Sequence, residues 1–452
     1  MSSYNTFIFE SYNFDEKNKI LKLNYSYDSK LFFEEKIEFP GNKILNKKEL
    51  SCLDNIFKYL HIVAGISYYK LFIPNKIEIN TFELNKEQAE FFNNFYFNGL
   101  GEFSFKNNVT DLKERINFPY SNIENSIENE IINYKLKDKI VIPIGGGKDS
   151  IVTLNIIKKY FKDNDILLCS VGTAKPIEET IALSGCKFFH PIRTISKNLI
   201  ELNKDLDKIG GYNGHVPISG ILAFIMCAGA VIYDYSTVLM SNERSANIGN
   251  TEFYGNIVNH QWSKSFEFEK SVNNFFKKYL LKDFNYFSFL RPLSEIHIAK
   301  IFARFKEYFS VFTSCNKNFK IENRLDHWCC DCDKCRFVFL ILSVFLKKEE
   351  MIKIFGKNLL DDKSQLNGYL ELCGLKDYKP FECVGEIEES AYSILNIDES
   401  FKDDFIIKEI VKLLKNKYSN NEIEKIGEKL FIPEKNNNLL SEKFWRYLEE
   451  NI

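Results

Sequence analysis

Apolar and polar residues alternate along the first forty positions. In "TFIFESY" (6–12), "KILKLNYSY" (19–27) and "LFFEEKIEF" (31–39) they exchange places at every second residue, the period of strands with one buried face. The period then lengthens. "LSCLDNIFKYLHIVAGISYYKLF" (50–72) carries apolar residues at helical spacing, and "KIEINTFEL" (76–84) returns to a strand pattern. This mixture predicts an N-terminal α+β domain over residues 1–130, closed by the polar stretch "SNIENSIENEIINYKLKD" (121–138).

Beyond it, short β-rich runs alternate with helical segments: "KIVIPIG", "DILLCSVG", "CKFFHPIR", "TVLMSN" and "NYFSFL". Five strands with intervening helices predict an α/β domain over residues 131–350, built on a doubly wound, parallel, five-stranded sheet. Pro143 donates no ladder hydrogen bond, but its place near the end of the first strand is compatible with the sheet. The apolar run "VPISGILAFIMCAGAVIY" (216–233) starts at a proline turn and ends at Asp234, so it predicts a buried helix and no membrane span. Residues 351–452 read as a C-terminal helical region ("LNGYLELCGL", "EESAYSILNI", "FIIKEIVKLLKNKY", "SEKFWRYLEENI").

Composition narrows the function classes. Of 452 residues 45% are hydrophobic and 15% aromatic, enough for sizeable cores. Lys plus Arg number 60 against 62 Asp plus Glu, so the formal charge of −2 lacks the basic footprint of a nucleic-acid binder. The N-terminus has no basic segment followed by an apolar one, which predicts a cytoplasmic protein. In that reducing compartment, clustered cysteines among the eleven read as metal ligands.

The densest chemistry lies in "VIPIGGGKDSIVTLNII" (141–157). A strand, a glycine-rich turn and a helix aim backbone N–H groups and a helix dipole at an anion. Walker A spacing fails, because Ile142 and Asp149 stand where its leading glycine and its Ser or Thr belong, and Ser150 breaks the Rossmann fingerprint. The stretch resembles the PP-loop of the ATP pyrophosphatase superfamily, Ser-Gly-Gly-x-Asp-Ser, which Gly146, Gly147, Asp149 and Ser150 match while Gly145 replaces the leading serine. That resemblance implies binding of the β and γ phosphates of ATP and cleavage of the α–β bond.

A second cluster follows in "SCNKNFKIENRLDHWCCDCDKCRFVF", where Cys315, Cys329, Cys332 and Cys335 can close a tetrahedral zinc shell. Cys330 and His327 are alternative ligands by spacing, and an iron–sulfur cluster is the competing occupant. Cys52, Cys169, Cys186, Cys227 and Cys373 read as small core residues.

The loop after the fourth strand of this domain, "SNERSANIGNTEFYGNIVNHQWSK", offers Glu243, Arg244, Asn247, Asn259, His260, Gln261 and Lys264. Arg244 could clamp a carboxylate or phosphate, and His260 could move protons near neutral pH. His215 in "GGYNGHVPISG", and Cys383 and Glu386 in "KPFECVGEIEES", are further candidates.

Taken together, "PIGGGKDSIV", "GHVPI", "NERSAN", "VNHQWSKSFE", "WCCDCDKCRFVFL" and "KPFECVGE" resemble the UDP-N-acetylmuramoyl-L-alanyl-L-glutamate epimerase family, with Cys330 where that family is expected to have glycine. The resemblance implies ATP- and magnesium-dependent inversion of the terminal L-glutamate of UDP-MurNAc-L-Ala-L-Glu, releasing AMP and pyrophosphate. On that reading Gly145, Gly146, Gly147 and Ser150 hold the β and γ phosphates and Asp149 helps bind magnesium. Lys148 or Arg244 stabilises charge at the α-phosphate, and His260 leads the candidates for proton transfer, ahead of His215 and Cys383. The rival enzyme is a 7-cyano-7-deazaguanine synthase-like protein, which shares the loop and the cysteine knuckle in a shorter chain. A tRNA-modifying enzyme would carry more positive charge. A nucleotide-binding scaffold without catalysis is the non-enzymatic alternative.

Overall fold

The computed structural model describes residues 4–122, 132–172, 174–319, 328–376 and 380–452. The expected boundary at residues 130 and 131 lies outside them. Twelve strands are described: β1 (Thr6–Asp15), β2 (Ile20–Tyr27), β3 (Leu31–Glu38), β4 (Lys76–Ile79), β5 (Ile140–Pro143), β6 (Ile166–Cys169), β7 (Lys187–Phe189), β8 (Ile192–Thr194), β9 (Thr237–Met240), β10 (Thr251–Phe253), β11 (Asn256–Val258) and β12 (Asn285–Ser288). The chain divides into two interleaved compact units: residues 1–140, 189–238 and 251–286 in the first, and 141–188, 239–250 and 287–452 in the second.

The first unit holds a sheet in the order β4-β1-β2-β3-β8. β1, β2 and β3 pair antiparallel as their alternation predicts, and β4 joins β1 in parallel. One face buries Phe7, Phe9, Tyr25 and Tyr27 completely. Against them packs the helix Lys47–Tyr69, started by a capping box in which Asn46 accepts from Glu49 N and Glu49 from Asn46 N. Buried phenols need partners, and Tyr25 and Tyr27 donate to the carbonyls of His61 and Tyr68 at 3.0 and 2.7 Å. Gly65 lets the helix approach this closely, since a Cβ there would overlap the Phe9 ring. The apolar run at 216–233 forms the buried helix Ile218–Tyr233, and no helix among the described residues is long and apolar enough to cross a membrane.

"CKFFHPIR" is not one strand. The chain breaks at His190-Pro191, so that β7 enters one sheet and β8 another. Pro191 has no N–H to continue a ladder. β8 then pairs antiparallel with β3 and brings Arg193 opposite Ile37. Arg193 Nε and Nη2 bind the buried Glu35 carboxylate at 2.7 and 3.0 Å, and Nη2 also donates to Ser67 Oγ at 2.9 Å.

The second sheet runs β12-β9-β5-β6-β7, a mixed α/β arrangement of five parallel strands. Its members are the five runs read from the sequence. In chain order this is 3-2-1-4-5, so the direction of strand addition reverses between β5 and β9. After β12 the elements among the described residues are helices, including Glu295–Phe302, Asp333–Leu342, Ile387–Leu395, Phe405–Lys417 and Glu442–Glu449.

The Glu35–Arg193 pair predicts that Arg193→Ala, which strands a buried carboxylate, lowers the unfolding free energy by about 3–5 kcal/mol. Urea titration of both proteins measures it, and a loss below about 1 kcal/mol would mean the pair behaves as an exposed one.

Candidate active site

In open parallel sheets the ligand crevice forms beyond the carboxyl ends of the strands where their order reverses. Here those ends are Ile144–Gly147 after β5 and Ser241–Asn247 after β9. Gly146 has φ +77°, and a Cβ on it would stand 3.2 Å from Pro176 Cβ and 3.3 Å from Ile177 N. Gly147 is the N-cap of helix Lys148–Ile157 and supplies no side-chain acceptor, so the first-turn amides keep their affinity for an anion. Gly145 faces open space, where a serine side chain would fit. Ser150 Oγ donates to Gly147 O at 3.1 Å. The residues present therefore suit a polyphosphate.

Lys148, at the first helical position, is fully buried, and its ammonium contacts the carboxylates of Asp149 and Glu295. Lys334 Nζ lies 3.2 Å from the other oxygen of Glu295. Burial alone would push the Glu295 carboxyl up, but the charges of Lys148 and Lys334 outweigh it and bring it down to about 2. Burial likewise disfavours the charged form of both lysines, and their acidic neighbours more than restore it. Asp149 keeps 23% of its side chain exposed and is the member able to meet a bound cation.

Glu389 adjoins this network. Burial, then the charge of Glu295, push its carboxyl up to about 7, while its oxygens accept from Ile296 N at 3.1 Å and Glu386 N at 2.7 Å. Gly385 in "KPFECVGE" is required here, because a Cβ would overlap Glu389 and the Phe337 ring. Glu386 is the N-cap of helix Ile387–Leu395, and Cys383 and Glu243 lie near enough to Lys334 to favour its charge.

Four thiols of the knuckle converge. The sulfurs of Cys315, Cys329, Cys332 and Cys335 all lie within 4.8 Å of one another, with Cys329 and Cys332 at 3.7 and 3.5 Å from Cys335. Sulfurs on a tetrahedral zinc, at ~2.3 Å each, stand about 3.8 Å apart, so the set fits. Cys330 turns away, donating to Phe355 O at 3.2 Å, and its φ of +55° is the left-handed conformation that favours glycine. His327 lies outside the described residues. Both ends of the knuckle reach the network: Thr313 N donates to Gly146 O at 2.9 Å, and Lys334 sits between two of the ligands.

Arg244 opens a short 3-10 turn and reaches Lys429 O at 3.4 Å, while Asn247 is exposed beside it. The fully buried Arg291 ties the same loop to β12, donating to Glu243 O at 2.9 Å and Ser288 Oγ at 3.2 Å. The five cysteines read as core residues are all buried.

His260 and His215 belong to the first unit, where they meet at Glu102. His260 Nδ1 contacts Glu102 Oε2, His215 Nδ1 lies 3.5 Å from the same oxygen, and Lys106 Nζ is 2.5 Å from Oε1. Burial raises the Glu102 carboxyl, but His260 foremost, with Lys106 and His215, overcomes it and brings it down to about 2. Burial, then the charge of His260, lowers the His215 imidazole to about 4, so it is neutral at neutral pH.

Residues 1–289 match the family model described as the MurL N-terminal domain, and residues 311–425 the one described as the MurL C-terminal domain. The chain belongs to the MurL family. Three relatives carry the name UDP-N-acetyl-alpha-D-muramoyl-L-alanyl-L-glutamate epimerase. That of Xanthomonas oryzae is 32% identical over 93% of this chain and 92% of its own. Those of Salinispora tropica and a Micromonospora species are each 35% identical over 90% of this chain, covering 88% and 90% of their own. No solved structure matches. Against this MurL-family background, Glu102, Glu295, Lys334 and Glu389 are the residues that sequence reading misses. Of these, only Lys334 had a visible signal, its place inside the cysteine spacing.

The sulfur geometry predicts that the purified protein holds zinc and that Cys332→Ser holds one equivalent less. Elemental analysis tests this, and iron with labile sulfide in place of zinc would contradict it.

Proposed function

We propose that this chain inverts the terminal L-glutamate of UDP-MurNAc-L-Ala-L-Glu at the expense of ATP, by way of an adenylated carboxylate, in peptidoglycan precursor synthesis. The carrying observation is the uncapped N-terminus of helix Lys148–Ile157, placed by a three-glycine loop at the reversal point of a parallel sheet. The names of the relatives supply the substrate.

The chemistry explains why a nucleotide belongs to an epimerase. Removing the α-proton beside a free carboxylate adds negative charge next to an existing one. When a carboxylate oxygen attacks the α-phosphorus, pyrophosphate leaves and a mixed anhydride forms. Its carbonyl accepts the charge of the carbanion. Reprotonation on the opposite face, and attack of water at the acyl carbon with AMP as the leaving group, then give the D-residue and AMP.

In this reading the amides after Gly146 and Gly147 and the Ser150 hydroxyl bind the β and γ phosphates. Asp149 holds magnesium, which neutralises charge on the phosphates. Lys148, Glu295 and Lys334 fix the loop from behind, and Arg244 lies on the adjoining loop.

Incubation with ATP, magnesium and UDP-MurNAc-L-Ala-L-Glu is expected to give AMP in step with D-glutamate in the product. Asp149→Ala is expected to slow AMP release by about 100-fold or more, read by nucleotide chromatography. AMP formed only with a different carboxylic acid would reject the substrate and favour a carboxylate-activating enzyme of the 7-cyano-7-deazaguanine synthase kind. Undiminished AMP formation by Asp149→Ala would reject the loop.

A further inference from the structure

The cluster of Glu102, His215 and His260 lies within the first unit, away from the cysteines in sequence, and the surrounding packing fixes its three members from separate segments. Glu102 stands in the first turn of helix Gly101–Asn107 and is 4% exposed. The loop before His215 is pinned by Lys70 Nζ on Gly214 O at 2.7 Å and by Asn107 Nδ2 on Asn213 O at 3.1 Å. Behind it Pro217 packs so closely on Gly99 that a Cβ there would lie 2.5 Å from the proline ring. His260 follows the β10–β11 hairpin, in a turn where Asn259 Oδ1 accepts from Gln261 N at 2.8 Å.

Each residue presents one ligand atom, and the three atoms lie within 4.8 Å of one another. His215 Nδ1 is 3.5 Å from Glu102 Oε2, longer than the usual N–H···O bond of about 2.7–3.2 Å. It is close to the separation of about 3.0–3.4 Å between neighbouring ligands held at ~2.1 Å from one cation, whereas His260 Nδ1, now hydrogen-bonded to the same oxygen, has to draw back for a cation to enter. The two imidazole rings are tilted by 48° with centroids 4.7 Å apart, so both border the same small volume beside Glu102.

We infer that Glu102, His215 and His260 form a binding site for a first-row divalent transition metal, with open positions that take an oxyanion. Two imidazoles and one carboxylate are a donor set for manganese, iron, cobalt or zinc in the divalent state. Three protein ligands leave coordination positions free, unlike the closed set of four thiolates. Lys106, with 54% of its side chain exposed, shares Glu102 and can swing aside, and Lys264 adds a second positive charge near His215. A dication beside two ammonium groups selects an anionic outer ligand, a carboxylate or phosphate oxygen. His260 then serves as a ligand, in place of the proton-transfer role its sequence context points to.

The test uses the full chain, treated with chelator and refilled with cobalt(II) alone. Two equivalents are expected. One gives thiolate-to-cobalt charge-transfer bands, and the other gives ligand-field bands without them. His215→Ala and His260→Ala are each expected to keep the first and weaken the second by at least ~10-fold in Kd. Electron spin-echo spectroscopy of copper(II) on the unsubstituted protein, which needs no variant to fold, is expected to show two imidazole nitrogens. Cobalt bound only by thiolates, or a second equivalent equally tight in both variants, would overturn the site. So would loss of α-carbon deuterium exchange in His260→Ala with cobalt affinity unchanged, which would make His260 a base.

Discussion

Two lysines and a glutamate buried together hold the second unit's chemistry in place. Lys148 enters from the helix after β5, Glu295 from the helix after β12, and Lys334 from the cysteine segment. Removing such charges from water costs several kcal/mol each, which only close mutual contact offsets. The neighbours are accordingly tied. Ser294 caps the helix that carries Glu295 by accepting from His297 N at 3.1 Å, and Glu389 takes the amide of Ile296. The glycine loop, the cysteine knuckle and the helical region thus share one electrostatic junction.

That junction gives the cysteine knuckle a purpose beyond stiffening the chain. The segment before Cys315 hydrogen-bonds the glycine loop through Thr313, and Cys332 and Cys335 flank Lys334. Ser314 packs so near Gly147 that a Cβ there would sit 2.7 Å from its hydroxyl. Whatever orders the four thiols therefore orders the loop and the lysine with them. A side chain at 147 would have to turn the Ser314 hydroxyl aside.

Much of the architecture was legible in the primary structure because local periodicity and global packing agree. β1 to β3 alternate with period two and bury one face, and the runs around β5, β6, β9 and β12 are short, apolar and bounded by turns. The split at Pro191 and the hairpin of β10 and β11 escaped, since three-residue strands carry too little pattern. The loop and the four thiols announce themselves through spacing. Glu102, Glu295 and Glu389 do not, because each is an ordinary glutamate near the start of a helix whose meaning comes from partners more than 90 residues away in sequence. Cys330 was visible as a departure from an expected glycine, and its positive φ supplies the reason.

If ATP activates the glutamate carboxylate and water then cleaves the anhydride at its acyl carbon, an oxygen of that carboxylate leaves on AMP. The most direct measurement is therefore the reaction of UDP-MurNAc-L-Ala-L-Glu labelled with oxygen-18 in the terminal glutamate α-carboxylate, followed by mass spectrometry of the AMP released. The account predicts one labelled oxygen in each AMP formed alongside the D-product. D-product accompanied by unlabelled AMP, or formed with no AMP, would contradict it.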